Sequence, residues 1–271
     1  MCLVLFSVVN GVDAAVMGLP LTAELLNEYG FNLNTPIKRF YPAGHWYEIP
    51  NLILNGTLGR MLKDNPNLSY LLVHNADTLG ADLDPVILGM HIGAGSPLSF
   101  EVLPLLWGDR GGVLARVDGR LRIVEAGALP RPEDEALFTY YNSLTTWINI
   151  DEFLSSLWLT REDVKRCGED PDSARRVKEA LFKIEEQIPV YVTLKDVEYI
   201  WGSGQSEIAP VAQCERLWGD MTGLSAFRSS FIAVTRHRGR QLKDPDTLDN
   251  WVRDGSLDYL EGLAVFQAPG A

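Results

Sequence analysis

Short apolar runs alternate with amphipathic stretches along the chain, the pattern of an α/β protein. Between Asn51 and Asp64, the residues Leu52, Leu54, Leu58, Met61 and Leu62 fall mostly on one side of a helix, so a helix is predicted there. Ser69 to His74 follows as a strand too apolar for a sheet edge, and burial on both faces suits a parallel sheet. Phe100 to Leu106 reads as another strand. From Gly112 to Glu125, two β-rich arms flank Asp118-Gly119, a dipeptide that readily takes the positive φ of a tight hairpin turn. Trp147 to Ile150 is predicted as a short strand, with Asp151 capping a helix that runs through Trp158.

Beyond about residue 160 the character of the chain changes. Asp172 to Gln187 is a charged amphipathic helix, Val190 to Thr193 a β-branched strand, and Gly202-Ser203-Gly204 a loop. Glu207 to Trp218 reads as helical, Ser229 to Thr235 as a strand and Pro245 to Arg253 as a helix. A boundary near residue 160 divides the chain into residues 1–160 and a smaller C-terminal α+β region, residues 161–271, expected to pack back on the first. Trp201, Trp218 and Trp251 are expected to serve as core there, and not as a sugar-stacking surface. At the other end, Met1 to Phe6 is apolar, but it has no basic segment and Asn10 and Asp13 interrupt it. A buried first strand fits better than a signal peptide.

With 271 residues and 46% hydrophobic content, the chain can bury a sizeable core. A formal charge of −12 argues against a general nucleic-acid binder, because counterion release needs a basic face. Phosphates can still be held where cations, a metal or helix N-termini are concentrated. Cys2, Cys167 and Cys214 lie far apart with no CxxC pattern, which fits a reducing compartment and offers no zinc site. No run approaches the ~20 apolar residues of a membrane span. A cytoplasmic protein is expected.

Four segments carry candidate chemistry. Tyr41-Pro42-Ala43-Gly44-His45-Trp46 precedes a helix; proline and glycine let backbone approach a ligand, and a loop histidine can donate to phosphate. The segment also reads simply as a turn with a surface histidine. His74-Asn75-Ala76-Asp77-Thr78-Leu79-Gly80-Ala81 ends the most apolar strand, where α/β sheets bind ligands. Asp77 there suits Mg²⁺ shared with a substrate phosphate, or merely caps a turn. Gly111-Gly112 opens the hairpin and Glu125 closes it: either a close-contact floor with an acceptor for sugar hydroxyls, or a bend beside a solvated glutamate. Tyr141 to Ile150 contains Asn142, whose amide both donates and accepts, although the stretch is also a plain loop entering a strand.

In this order and spacing the four segments resemble the UTP–glucose-1-phosphate uridylyltransferase family and, more distantly, UDP-N-acetylhexosamine pyrophosphorylases. The family's YPPGHGD-like loop is similar to Tyr41 to Trp46, and its SNxDNLGA pattern to His74 to Ala81. Its KGGxL…LLEIAQVP hairpin looks like Arg110 to Leu114 followed by Ile123 to Pro130, and its FNTNNLWVNL stretch is similar to residues 141–150. The resemblance covers residues 36–160 well and the rest loosely.

Carried over position by position, the resemblance implies that Gly44 faces the uracil and His45 contacts the sugar phosphate. It implies that Asn75 lines the nucleotide, Asp77 binds Mg²⁺, and Gly112, Glu125 and Asn142 hold the sugar. The implied fold is an incomplete GT-A-like (Rossmann-like) nucleotidyltransferase sheet. The implied substrates are UTP and a sugar 1-phosphate, and the products UDP-glucose or a similar UDP-sugar with pyrophosphate. Asp77 and Glu125 are expected to face one pocket above the carboxyl ends of a central sheet, with Gly44 and Asn142 on its walls.

Three departures follow. No LxGGxGTxMG-like loop is present, since Asn10-Gly11 and Gly18 lie in no such arrangement, so the glycine-rich front end is expected to be missing. The second asparagine of the family's NTN is Leu144 here. The family's PVKTTSDL lysine falls on Tyr191 or Val192; Lys195 is the nearest candidate for its catalytic role, although three or four residues along a strand amount to about 10 Å or more. Gln205, Gln213, Asp220 and Lys243 are further polar residues that no spacing singles out. An impaired uridylyltransferase with no more than trace UDP-glucose formation is the expectation. Beside it stand an inactive or truncated homologue that binds a sugar phosphate or nucleotide sugar or pairs with another chain, and an unrelated α/β interaction protein.

Overall fold

The computed structural model describes residues 43–106, 109, 111–200, 204–242 and 245–263. The expected first strand at Met1 to Phe6, Cys2, Tyr41, Pro42, Arg110, Trp201, Gly202, Ser203 and Lys243 lie outside the described residues. In chain order the elements are α1 (Glu48–Leu54), α2 (Thr57–Asp64), β1 (Tyr70–Val73), α3 (Pro85–Ala94), β2 (Leu98–Pro104), β3 (Val113–Val117), β4 (Arg120–Val124) and β5 (Tyr140–Asn149). Then follow α4 (Ile150–Ser156), α5 (Arg161–Arg166), α6 (Pro171–Glu185), β6 (Tyr191–Ile200), β7 (Ser206–Glu215), β8 (Ser229–Ala233), α7 (Pro245–Asp254) and α8 (Ser256–Leu263). No described helix is long and apolar enough to cross a membrane.

Two compact units are present. Among the described residues one holds 67–158 and 219–263, the other 43–66 and 159–218. The first unit is built on a mixed sheet in the order β4-β3-β5-β2-β8, with β1 also pairing β5. Among the described strands only β2 and β8 run parallel; β1, β2 and β3 all pair β5 antiparallel. The expectation of a parallel sheet around the Ser69–His74 run is therefore corrected. β1 has one partner among the described strands, and its four residues are half-buried. An apolar run of four residues reports burial but not strand direction, which long-range pairing decides. The core lies along β2 and β5, where Leu98, Phe100, Leu103, Trp147 and Ile148 are buried. Phe100 stacks on Phe231 of β8, and Phe153 meets Phe227 with rings tilted.

A buried polar network pins this core. Arg238 donates to both oxygens of Glu101 at 2.9 Å, and Trp147 Nε1 donates to Glu101 Oε1 at 2.9 Å. Arg238 also pairs with Asp82. Burial works against the charge on Arg238, but Glu101 and then Asp82 raise its pKa further above the ordinary arginine value.

The second unit packs α1, α2, α5 and α6 and carries the two-stranded ribbon of β6 and β7. The helix predicted from Asn51 to Asp64 is two helices, because Gly56 takes φ 76° and turns the chain between them. Glu207 to Trp218, predicted helical, is instead mostly β7, paired residue for residue with β6. Pro210 within it disfavours a helix interior and is tolerated on a ribbon edge. In the first unit, Asn149 and not Asp151 caps α4, its side chain accepting from Glu152 N at 3.2 Å. The predicted turn at Asp118-Gly119 is present, with φ 50° and 80°.

Candidate functional site

Glu125 leaves β4 with extended backbone, and its carboxylate lies between two glycines. A Cβ built on Gly112 would stand 2.8 Å from Glu125 Oε1 and 2.6 Å from Ile123 Cγ2. One on Gly219 would stand 2.9 Å and 2.8 Å from the same atoms. Both glycines are thus required by close approach to one side-chain pair. Gly219 is held there by Thr222, whose hydroxyl donates to Gly219 O and accepts from Ile123 N, each at 2.8 Å. Burial raises the pKa of Glu125 to about 7, and the like charges of Asp220 and Glu135 push the same way. Glu135 in turn accepts from Gly111 N at 3.1 Å.

Asn142 joins this group through the backbone, its N donating to Gly112 O at 2.7 Å. The Asn142 Oδ1 accepts from Leu144 N at 3.1 Å, across a bend in which Leu144 takes φ 65°. The Nδ2 of Asn142 is buried with no partner among the described residues. Leaving such a donor unsatisfied costs about 1–3 kcal/mol, which a ligand acceptor would relieve. Glu125 as acceptor and Asn142 Nδ2 as donor suit a hydroxyl group, which both donates and accepts.

The turn after β1 reaches the same edge of β5. Val73 pairs with Thr146 and Val113 pairs with Tyr141, so β1 ends and β3 begins on one edge of β5. The stretch Asn142 to Thr145 lies between them, with Asn142, Ser143 and Thr145 buried. His74 donates from Nδ1 to Asn75 O at 2.9 Å, and Thr78 N donates to Asn75 O at 3.0 Å, closing the turn that carries Asp77. Residues 240–242 clamp it: Leu242 N donates to Asp77 O at 2.8 Å, and Leu79 N to Arg240 O at 3.0 Å. Gly80 is needed here because a Cβ would stand 1.9 Å from His237 O. The Oδ1 of Asp77 is buried with no hydrogen-bond partner among the described residues. No cluster of three or more His, Cys, Asp or Glu that could hold a metal forms among the described residues. One carboxylate oxygen awaiting a partner fits Mg²⁺, which takes few protein ligands and completes its shell with substrate phosphate and water.

Gly44, His45 and Lys195 belong to the second unit. Gly44 takes φ 102°, and a Cβ there would stand 2.1 Å from Arg216 O, so its own chain already requires glycine. Trp46 N donates to Arg216 O at 3.1 Å and Arg216 N to Ala43 O at 2.9 Å, while Trp46 stacks on Trp218 at 6.0 Å. His45 opens the short 3-10 turn His45–Tyr47. Lys195 lies on β6 opposite Val211. Trp218 and Trp251 are buried, as expected of core residues.

A sequence profile of UTP–glucose-1-phosphate uridylyltransferases matches residues 25–173, more than half of the chain and every predicted site position except Lys195. The chain belongs to this family. A probable UTP–glucose-1-phosphate uridylyltransferase of Schizosaccharomyces pombe is 32% identical over 120 residues, 42% of this chain and 24% of the yeast protein. The Saccharomyces cerevisiae enzyme is 29% identical over 123 residues, 43% and 24% of the two chains. The match thus spans about a quarter of the length of these curated relatives. Among solved structures, a UDP-glucose phosphorylase from Trypanosoma brucei shares the fold with TM-score 0.51 at 23% identity, over 76% of this chain and 39% of that one. A UDP-glucose pyrophosphorylase variant from Leishmania major does so with TM-score 0.52 at 20% identity, over 79% and 42%. The family fold is therefore present with a nucleotidyltransferase-like sheet, as the resemblance implied.

The structure brings the sequence-predicted Gly112, Glu125 and Asn142 near one another; the sequence did not single out Gly219, Thr222 or Glu135, and left Asp220 without a place. The Trp218-Gly219-Asp220 sequence, a glycine between a large aromatic and an acid, was the available signal. Its contact with Glu125 is long-range and has no periodicity to betray it.

Proposed function

We propose that the chain takes part in uridylyl transfer from UTP to a sugar 1-phosphate, with the site around Glu125 holding the sugar. A phosphate oxygen of the sugar 1-phosphate attacks the α-phosphorus of UTP. The bond from that phosphorus to its bridging oxygen breaks, and pyrophosphate leaves with the electron pair. Such chemistry asks the protein mainly for positioning and charge neutralisation. Glu125 as carboxylate accepts from sugar hydroxyls and Asn142 Nδ2 donates to one, while Gly112 and Gly219 keep the floor flat. The names of the matched relatives support glucose as the sugar.

Mg²⁺ belongs to the same reading, with Asp77 as its ligand; when bound, it would neutralise phosphate charge during transfer. Gly44, His45 and Asn75 as uracil, phosphate and nucleotide contacts, and Lys195 as the catalytic cation, are carried by the family motifs. A cytoplasmic location is supported by Cys167 and Cys214 being free thiols.

The single observation that carries the proposal is the unpaired Nδ2 of Asn142, whose backbone N–H donates to Gly112, one of the two glycines that box the Glu125 carboxylate, at the positions where the family motif places the sugar. Calorimetric titration with UDP-glucose tests it. Saturable binding is expected, weakened about ten- to a hundredfold by Glu125→Gln and up to about tenfold by Asn142→Ala. Absence of saturable binding, or binding indifferent to both substitutions, would overturn it.

A further inference from the structure

A cleft of about 480 Å³ in the first unit is lined by the β3–β4 hairpin and the segment entering β8. Arg116, Arg120 and Arg228 line it, and no carboxylate does. Among the described residues, none of the three is seen in an ion pair. The chain has 36 acidic residues against 24 basic ones, so three arginines gathered with no acid among the lining residues cannot be put down to composition. Like charges gathered in a cleft repel, and a bound anion removes that cost.

The remaining lining suits a phosphoryl group. Ser225 and Ser229 add hydroxyls, and Ser229 Oγ is buried without a hydrogen-bond partner among the described residues. Two of the arginines are already placed by backbone: Arg116 donates to Gly119 O at 3.0 Å and Arg228 to Gly95 O. Ser230 on the same wall is fixed by a 2.6 Å hydrogen bond to Ser99, which shares another of 2.6 Å with His91. Guanidinium forks and hydroxyls on a held frame match the oxygens of phosphate. The volume falls in the range of small-molecule sites, and Leu121 and Phe231 offer an apolar side for a ligand body.

We propose that this cleft is an anion site independent of Glu125 and Asp77, taking the phosphoryl group of a small phosphorylated metabolite. Thr222 belongs to both places: it lines the cleft and holds Gly219 against β4 beside Glu125. The proposal does not depend on the uridylyltransferase reading.

The test is calorimetric titration of the full chain with inorganic pyrophosphate, without added divalent cation. Saturable binding is expected, weakened about tenfold or more in an Arg116→Gln/Arg120→Gln double variant and unchanged by Asp77→Asn or Glu125→Gln. The two arginines are exposed, so the double variant is expected to keep the wild-type circular dichroism. Ser229→Ala removes a single hydroxyl and is expected to weaken binding in the same direction. No saturable binding at millimolar pyrophosphate, or binding that falls with Asp77→Asn and not with the arginine pair, would overturn the proposal.

Discussion

Glu125 Oε1 lies where a methyl group on Gly219 would come within 2.9 Å of it. The carboxylate that ends β4 is therefore boxed by backbone from a segment far along the chain, and the box depends on Gly219 having no side chain. Thr222 keeps the segment in place, so the geometry is set by β4 and the 3-10 turn Trp218–Gly223 together.

Gly219→Ala is expected to push the Glu125 and Ile123 side chains away from position 219. Overpacking of this kind costs about 1–3 kcal/mol, read as a lower urea midpoint. UDP-glucose affinity should fall with it, because the carboxylate no longer meets the hydroxyls it would accept from. An alanine variant that binds as tightly as wild type would show that the box is not part of the sugar site.

Glu125 also makes a pH signature. Its pKa is raised in the fold from the ordinary 4.5 to about 7. Between those values the folded chain holds a proton that the unfolded chain has released, so this group's contribution to stability is full below the lower value and is lost as pH rises to the upper. Glu125→Gln is expected to flatten that decline in thermal unfolding measured across pH. Glu48, buried to a similar pKa of about 7, contributes a decline of the same sign, so the difference between wild type and variant is the quantity to compare. Binding moves the opposite way: UDP-glucose affinity should rise as pH passes about 7 in the wild type and stay level in the variant.

The buried pair of Arg238 and Glu101 gives a stability test remote from ligand. Arg238→Met would leave the Glu101 carboxylate sealed without its cation and with only Trp147 Nε1 still seen donating to it, at a cost of about 3–5 kcal/mol in denaturant unfolding. Pairing it with Glu101→Leu is expected to restore most of that loss, since the unpaired charge goes with it.

The parts of this site that the sequence made legible are those whose signal is local. Asp118-Gly119 announced the hairpin, and the hairpin brings Gly112 to Glu125 because its two arms must pair from Val113–Val124 onward. Asn142 was legible through the family-like motif of residues 141–150 and not through any strand pattern. Illegible were the contacts closed by distant segments: Gly219 and Thr222 against β4, and residues 240–242 against the Asp77 turn. The ribbon of β6 and β7 shows the same limit. Its second arm has helix-like spacing of apolar residues, and only pairing with β6 makes it a strand. The antiparallel direction of β1 was equally hidden, since an apolar run carries no information on its partner's direction.

Leu144 marks the last place where fold and site meet. Its φ of 65° puts a leucine in left-handed backbone, which costs an L-residue about 1–2 kcal/mol, and its N–H is held by Asn142 Oδ1. Asparagine tolerates this conformation better, and it is the residue that the family motif carries at this point. Leu144→Asn is expected to stabilise the chain by about 1 kcal/mol and to tighten UDP-glucose binding by up to about tenfold, by adding an amide beside Asn142. Leu144→Gly separates the two effects, because glycine accepts the positive φ and offers no amide; its affinity for UDP-glucose should match the wild type. If the glycine variant tightens binding as much as the asparagine variant, the gain comes from the backbone and Leu144 does not occupy a sugar-contacting position.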